Sequence, residues 1–148
     1  MKKKLSRVAL VVEGGGMRGI FAAGVLDVFM EKQFDPFDLY IGVSAGACNL
    51  ASHLAGQHRR NFRIYTRLMT RPDFISLKKF LRGGHMMDLD YLWDVIDAED
   101  PLAVKEIFKM RDKEYIIVAT DIEGGKPVYI KPDADNCSIC LKASSAVP

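Results

Sequence analysis

The stretch Asp38-Leu39-Tyr40-Ile41-Gly42-Val43-Ser44-Ala45-Gly46-Ala47 decides the fold. It begins as an apolar run of strand type and continues, through Gly-Val-Ser-Ala-Gly, into small residues typical of a helix. This is the pattern G-x-S-x-G between a strand and a helix, the context that the motif requires. A serine at such a turn is strained and exposed, and Gly42 and Gly46 let neighbouring backbone approach it. We therefore interpret Ser44 as a nucleophile.

The same turn supplies hydrogen-bond donors. The first amides of a helix have no acceptor within it and lie at the positive end of its dipole. The amide of Ala45 would thus point to where negative charge develops on an attacked carbonyl. The alternative is a tightly packed strand-helix junction without chemistry, because the five-residue pattern also occurs by chance.

Length and composition indicate one globular domain, or part of one. The chain has 148 residues, of which 49% are hydrophobic and 27% charged. A net charge of +2 is too small to argue for nucleic acid as a partner. No apolar run reaches the length of a membrane span, and Ser6 and Arg7 interrupt the basic start before it becomes a signal peptide. We expect a soluble, cytoplasmic protein.

The cysteines agree with a reducing compartment. Cys48, Cys137 and Cys140 make an odd number, which does not suit a disulfide framework. A single C-x-x-C lacks the two further ligands that zinc needs. We therefore expect no metal site.

A first strand-helix-strand unit precedes the serine. Val8 to Val12 is continuously apolar, as in a strand buried on both faces of a parallel sheet. A glycine-rich loop follows, and apolar residues at helical spacing predict a helix from Ile20 to Lys32. The strand before Ser44 completes the unit and indicates the α/β class.

The glycine-rich loop, Gly14 to Gly19, allows three interpretations. Its glycines match G-x-G-x-x-G, the fingerprint that binds a dinucleotide. That motif expects an acidic residue at the end of the second strand, where this chain has Gly-Val-Ser-Ala-Gly. In the second interpretation, the amides of Gly15 and Gly16 form an oxyanion hole facing Ser44. In the third, the glycines only permit a tight turn.

Three ordered blocks resemble the patatin-like phospholipases of the bacterial, single-domain type. The blocks are Gly14-Gly15-Gly16-Met17-Arg18-Gly19, then Gly42-Val43-Ser44-Ala45-Gly46, then Ala143-Ser144-Ser145-Ala146-Val147-Pro148. They are similar to the family's G-G-G-x-[KR]-G loop, its G-x-S-x-G elbow and its A-S-x-x-x-P segment, from about residue 7 to the last residue.

The resemblance implies a three-layer α/β/α sandwich with a mainly parallel sheet. It also implies a serine acyl hydrolase that cleaves fatty-acyl esters of phospholipids or related lipids through an acyl-enzyme, without a cofactor. Ser44 would be the nucleophile; Gly14, Gly15, Gly16 and Ala45 would form the oxyanion hole, with Arg18, Gly19, Gly42 and Gly46 as motif support. Two alternatives stay open: a nucleotide-binding module using Gly14 to Gly19, and a non-catalytic lipid-binding protein.

One element of the family pattern is missing. The family's base is an aspartate in a D-G-[GA] motif that follows A-S-x-x-x-P, and no aspartate here precedes Gly-Gly or Gly-Ala. We therefore expect residues 1–148 to be the N-terminal part of one patatin-like domain, incomplete at the C-terminus and inactive alone; a natural short form is the alternative. His53, His58, His85 and Asp121 are weaker candidates for a base, and we interpret Asp121 as structural.

Charge is segregated along the middle of the chain. Residues 59–82 are rich in Arg and Lys interleaved with apolar side chains, whereas residues 88–100 are acidic. The basic region is an ordinary helix pair with basic outer faces or a peripheral contact for anionic lipid. Asp88 is expected to cap a helix whose apolar stripe consists of Leu89, Leu92, Trp93 and Ile96.

The last third predicts a sheet edge and a short helix. Residues 113–121 read as a buried strand, and Gly124-Gly125 turns the chain into a second strand over residues 127–131. Residues 139–146 are expected to form a helix that brings Ser144 and Ser145 near the cleft.

Overall fold

Strands and helices alternate along the chain in a computed structural model that describes residues 7–72, 89–109 and 112–146. The strands and helices are β1 (Ala9–Val12), α1 (Ile20–Glu31), β2 (Leu39–Val43), α2 (Ala45–Leu54), α3 (Arg60–Arg63), α4 (Leu89–Glu99), α5 (Val104–Ile107), β3 (Glu114–Thr120), β4 (Pro127–Ile130) and α6 (Cys137–Ser145). A 3₁₀ turn, Gly16–Gly19, precedes α1, and a π-helical turn, Ile64–Leu68, follows α3. The predictions for Asp88 and His85 lie outside the described residues.

The four strands form one sheet in the order β1-β2-β3-β4. β1, β2 and β3 are parallel, and β4 is antiparallel to β3 at the edge. Gly42 pairs with Val12 on one side and Ile117 on the other, so the carboxyl ends of the parallel strands meet around the elbow. The mainly parallel α/β class and the edge hairpin are confirmed.

One face of the sheet carries the main core. Tyr40, Tyr115 and Ile117 point to this face and are at most 7% exposed. Their neighbours in the core come from α1, α2, α5 and α6. Alternate residues point the other way, and there Val11 and Tyr129 are each 64% exposed. Within the described residues, the buried helical layer therefore lies on the face that α2 covers. The prediction that the first strand is buried on both faces is wrong for β1, because Val11 is exposed on the other face.

A second apolar cluster lies beyond α2. It joins Ala23 of α1 to the π-helical turn and to Leu92 and Ile96 of α4. The predicted apolar stripe of α4 is confirmed at these two positions. The outer basic face expected for this region is not found at Arg60, whose side chain is only 4% exposed and donates to Ser52 of α2 and to the carbonyl of Asp100.

His53 lies in a polar cluster far from the elbow along α2. Its ring lies 6.0 Å from that of Tyr40, whose hydroxyl donates to Asp35, and Lys113 pairs with Asp35. The Nδ1 atom of His53 is buried and has no hydrogen-bond partner. Burial lowers the pKa of His53, although Asp35 opposes the shift. The imidazole is thus a packing group in the folded chain.

The lowered pKa of His53 predicts acid sensitivity. Above the unfolded-state pKa of about 6.5, the imidazole is neutral in both states and stability is unaffected by it. As pH falls through that value, the unfolded chain binds the proton more readily than the folded chain, so the free energy of unfolding decreases. Thermal unfolding between pH 7.5 and 5.0 checks this: the decrease should be smaller in His53→Gln. The exposed His58→Gln change is the control, and equal pH profiles for wild type and His53→Gln would refute the assignment.

Candidate active site

Ser44 occupies a strained turn between β2 and α2. Its backbone angles are φ 52° and ψ −125°, a combination that non-glycine residues rarely adopt. The side chain is neither buried nor fully exposed. The predicted strand-to-helix elbow therefore exists, and the surrounding contacts must hold it.

The glycines around the serine allow close backbone contacts. A Cβ atom at Gly42 would lie 2.7 Å from the backbone nitrogen of Ala47, and closer still to its Cα. A Cβ atom at Gly46 would meet the carbonyl oxygens of Val12 and Glu13. The start of α2 therefore packs directly on the end of β1, where the glycine-rich loop begins.

The glycine-rich loop lies beside the elbow. A Cβ atom at Gly14 would lie 3.1 Å from the Cβ atom of Ser44, so the glycine-rich loop contacts the elbow there. Gly16 has a φ of 53°, and the amide of Arg18 donates to the carbonyl of Gly15 at 3.1 Å. The structure thus brings Gly14 next to Ser44 and places Gly15 and Gly16 in the adjoining turn. Their role as oxyanion donors stays a prediction.

Ser144 ties the elbow to the sheet. Its Oγ accepts a hydrogen bond from the amide of Ser44 at 2.7 Å and donates one to the carbonyl of Val118 at 2.6 Å. On the next residue, the Oγ of Ser145 lies 3.7 Å from the Sγ of Cys48. The closing helix, predicted over 139–146, extends from Cys137 to Ser145. Its last turn places the hydroxyls of Ser144 and Ser145 against the elbow and α2.

Ser144→Ala is expected to slow acylation of Ser44 by about 10- to 100-fold. The change leaves a partly buried amide without its acceptor, which costs about 1–3 kcal/mol and lets the strained turn relax. The measurement is the rate of labelling by a serine-directed probe on a chain extended beyond residue 148. Ser144→Thr retains a hydroxyl and should recover most of the rate, and Ser138→Ala on the exposed side of α6 is the control. A rate unchanged in Ser144→Ala would show that the elbow does not need this bond.

An apolar cavity of about 230 Å³ extends from the serine. Its lining includes Gly16, Met17, Ser44 and Ala45. Its walls come from α2, α3, the π-helical turn, α4 and α6, with the lining residues Cys48, Asn49, Arg60, Asn61, Ile64, Tyr65, Met69, Leu89, Leu92, Trp93, Ile96, Leu102, Leu141 and Ser145. The arrangement can hold an apolar group beside a serine hydroxyl.

Sequence reasoning missed the polar wall of this cavity. Asn49 and Asn61 are buried, and Tyr65 donates to Asn49 Oδ1 at 3.2 Å. Asn49 in turn donates to the carbonyl of Gly19 at 2.8 Å, which ties α2 to the glycine-rich loop. Burial raises the pKa of Tyr65 to about 12, so its hydroxyl keeps its proton. The available signal was Asn49, an amide side chain among the small and apolar residues of the first two turns of α2.

Two of the weaker candidates for a base, Asp121 and His58, have other hydrogen-bond partners. The carboxylate of Asp121 accepts hydrogen bonds from the amides of Glu123 and Gly124 at 3.2 and 3.0 Å. It caps its own turn, as a structural aspartate does. The Nε2 atom of His58 lies 3.1 Å from Glu31 on the surface.

Neither the cysteines nor the acidic residues form a metal centre in the described residues. Cys48, Cys137 and Cys140 are free thiols. Burial raises the pKa of Cys48, and it raises that of Cys137 to about 12, so both stay protonated at neutral pH. Across residues 7–72, 89–109 and 112–146, no group of three or more possible ligands comes together.

Comparisons with known proteins agree with this geometry. Residues 10–148 match the family described as Patatin-like phospholipase. The chain is 41% identical to the uncharacterized protein YjjU of Escherichia coli over 96% of its own length and 40% of the length of YjjU. It is 27% identical to the uncharacterized NTE family proteins Mb1092c of Mycobacterium bovis and Rv1063c of Mycobacterium tuberculosis, of which it covers 38%.

The chain thus spans about two fifths of the length of these curated relatives. The family match covers all three sequence blocks: the glycine-rich loop at residues 14–19, the elbow at residues 42–46 and the last block at residues 143–148. The chain belongs to the patatin-like phospholipase family.

Proposed function

We propose that the protein is a serine acyl hydrolase that cleaves fatty-acyl esters of phospholipids or related lipids. The observation that carries the proposal is the strained Ser44 in the lining of an apolar cavity, between the glycine-rich loop and the first turn of α2. Membership of a family of lipid hydrolases supports the same class of substrate.

In the proposed mechanism, Ser44 Oγ attacks the carbonyl carbon of the ester. Its proton passes to a base, and the amides of Gly15, Gly16 and Ala45 bind the oxyanion, with Gly14 shaping the loop. The carbon–oxygen bond to the alcohol breaks, and the base returns the proton to the leaving oxygen. Water then attacks the acyl-enzyme with help from the same base, which releases the fatty acid and restores Ser44.

We expect the base to be an aspartate C-terminal to residue 148. Asp121 caps a turn, His58 pairs with Glu31, and His53 lies in the cluster around Tyr40. An unactivated serine is a poor nucleophile, so residues 1–148 alone should show little turnover. A chain extended to the length of the relatives should regain it.

The proposal includes peripheral contact with anionic membranes through residues 59–82. In the described part of this region, Arg63 pairs with Asp100 and Arg71 with Glu99. Arg67 is exposed and could approach a lipid surface. Among the described residues, no helix is long and apolar enough to cross a bilayer. We propose a cytoplasmic protein that binds the membrane surface reversibly.

Two assays on one preparation of the extended chain test the proposal. Release of p-nitrophenol from fatty-acyl esters measures hydrolysis, and the fluorescence of Trp93 during titration with NAD(H) measures nucleotide binding. We expect hydrolysis without a nucleotide response. A nucleotide response without hydrolysis would favour the dinucleotide-binding module, and flotation with anionic liposomes without hydrolysis would favour a lipid-binding protein.

A further inference from the structure

A buried arginine lies in the wall of the cavity that Ser44 opens into. Arg60 begins α3, and its side chain is 4% exposed. Ser44, Cys48 and Arg60 line the same cavity. Cys48 lies one helical turn after Ser44 on α2, and the charge of Arg60 acts on its thiol. The guanidinium therefore lies within reach of a ligand whose reacting carbonyl is at Ser44.

The hydrogen bonds of Arg60 use only part of its capacity. Its Nε donates to the carbonyl of Asp100 at 2.9 Å, and its Nη1 donates to Ser52 Oγ at 2.9 Å. A guanidinium has five N–H donors. The carboxylate of Asp100 is 3.9 Å from Arg60, whereas Arg63 holds it with two bonds of 2.7 and 3.1 Å. Two guanidinium groups thus interact with one carboxylate, and the interaction of Arg60 with it is the weaker of the two.

The burial of this charge is incompletely compensated. Burial lowers the pKa of Arg60, and Asp100 opposes that effect without cancelling it. Cys48 adds no counter-charge, because burial raises the pKa of its thiol and keeps it protonated. An anion in the cavity would therefore gain a favourable interaction and would relieve the cost of burying Arg60.

The other polar groups of this wall are already engaged. Asn61 donates to the carbonyl of Asn49 at 3.1 Å, and its Oδ1 accepts from Ser52 at 2.8 Å. Asn49 donates to Gly19 and accepts from Tyr65. In the described part of the wall, Arg60 is thus the cationic donor that has capacity left for a ligand.

We propose that Arg60 binds an oxyanion, a carboxylate or a phosphate, that the ester substrate carries in addition to its scissile ester. The preferred substrate is then an acyl ester whose second group is anionic, with the ester at Ser44 and the anion at Arg60. This inference rests on the proposed function only for the position of the ester. The anion site itself does not require hydrolysis.

Binding is tested with the full-length protein carrying Ser44→Ala, so that no turnover occurs. Trp93 lines the cavity and is the single tryptophan of residues 1–148. Its fluorescence reports occupancy once any tryptophan beyond residue 148 has been replaced by phenylalanine. Octanoate, octyl phosphate and octanol are titrated as matched ligands. We expect at least one anion to bind about 10- to 100-fold more tightly than octanol, as a charge-assisted hydrogen bond predicts. The tighter of the two anions identifies carboxylate or phosphate as the recognised group.

Arg60→Met should abolish this preference and leave octanol binding unchanged. Arg60→Gln, which keeps a polar side chain without the charge, should do the same and replaces Arg60→Met if that variant does not fold. The controls are Arg67→Met on the exposed side of the π-helical turn, and Lys142→Met, because Lys142 Nζ lies 5.7 Å from the Trp93 ring. Both controls should retain the preference.

Two results would overturn the anion site. One is octanol binding as tightly as both anions, and the other is a preference that survives both Arg60 variants or disappears in Lys142→Met. Absence of ester hydrolysis in the protein with Ser44 intact would instead count against the proposed function and leave the anion measurement unaffected.

Discussion

Ser44→Ala is expected to reduce ester hydrolysis by the extended chain by about 10⁴-fold or more, because removal of a nucleophilic serine leaves only substrate binding and the oxyanion donors. Alanine keeps the Cβ atom, so the strain at φ 52° is unchanged and the fold should persist. The loss should appear in kcat, with little change in KM, since the hydroxyl acts in the chemical step.

Initial rates with a p-nitrophenyl ester and a phospholipid, together with circular dichroism, provide the measurement. Ser138→Ala, on the exposed side of α6, is the matched serine control and should keep the wild-type rate. Hydrolysis by Ser44→Ala at a tenth of the wild-type rate or faster would mean that another group is the nucleophile.

Gly46→Ala is expected to destabilise the fold by about 3 kcal/mol or more. The new Cβ atom would lie 2.5 Å from the carbonyl oxygen of Glu13, and closer still to that of Val12. These are backbone atoms at the end of β1, which cannot move without shifting the strand and the glycine-rich loop. Because domains are stable by only about 5–15 kcal/mol, the variant should be largely insoluble or unfold at a much lower temperature.

Gly24→Ala is the matched control for that change. Gly24 lies within α1, and no described atom would be within 4 Å of its added Cβ. Alanine should therefore stabilise the helix by about 0.5–1 kcal/mol. Urea unfolding of both variants checks the pair. A Gly46→Ala chain as stable as Gly24→Ala would refute the close packing of α2 on β1.

The elbow and the first strand-helix-strand unit were predictable because local signals agree with the fold. Small residues at Gly42 and Gly46 mark close backbone contacts, and the apolar runs over residues 8–12 and 39–43 mark the parallel strands β1 and β2, of which β1 is buried on one face only. The contact of Gly14 with Ser44 follows from the same logic, since both residues follow the carboxyl ends of neighbouring parallel strands.

The polar wall was not predictable from local pattern. Arg60 stands in a basic run that indicates an exposed face, yet its side chain is buried. Its hydrogen bonds reach Ser52 and the carbonyl of Asp100, residues 8 and 40 positions away. The bridge from Ser144 to Ser44 likewise joins residues 100 positions apart. Such partners depend on tertiary packing, which spacing along the chain does not reveal.

Labelling with a fluorophosphonate probe, followed by mass-spectrometric mapping of the adduct, tests the central claim most directly. On the extended chain, we predict a single adduct on Ser44 that disappears in Ser44→Ala, with slow or no labelling of residues 1–148 alone. A folded extended chain that gives no adduct on Ser44, or an adduct on another residue, would contradict the assignment of Ser44 as the nucleophile.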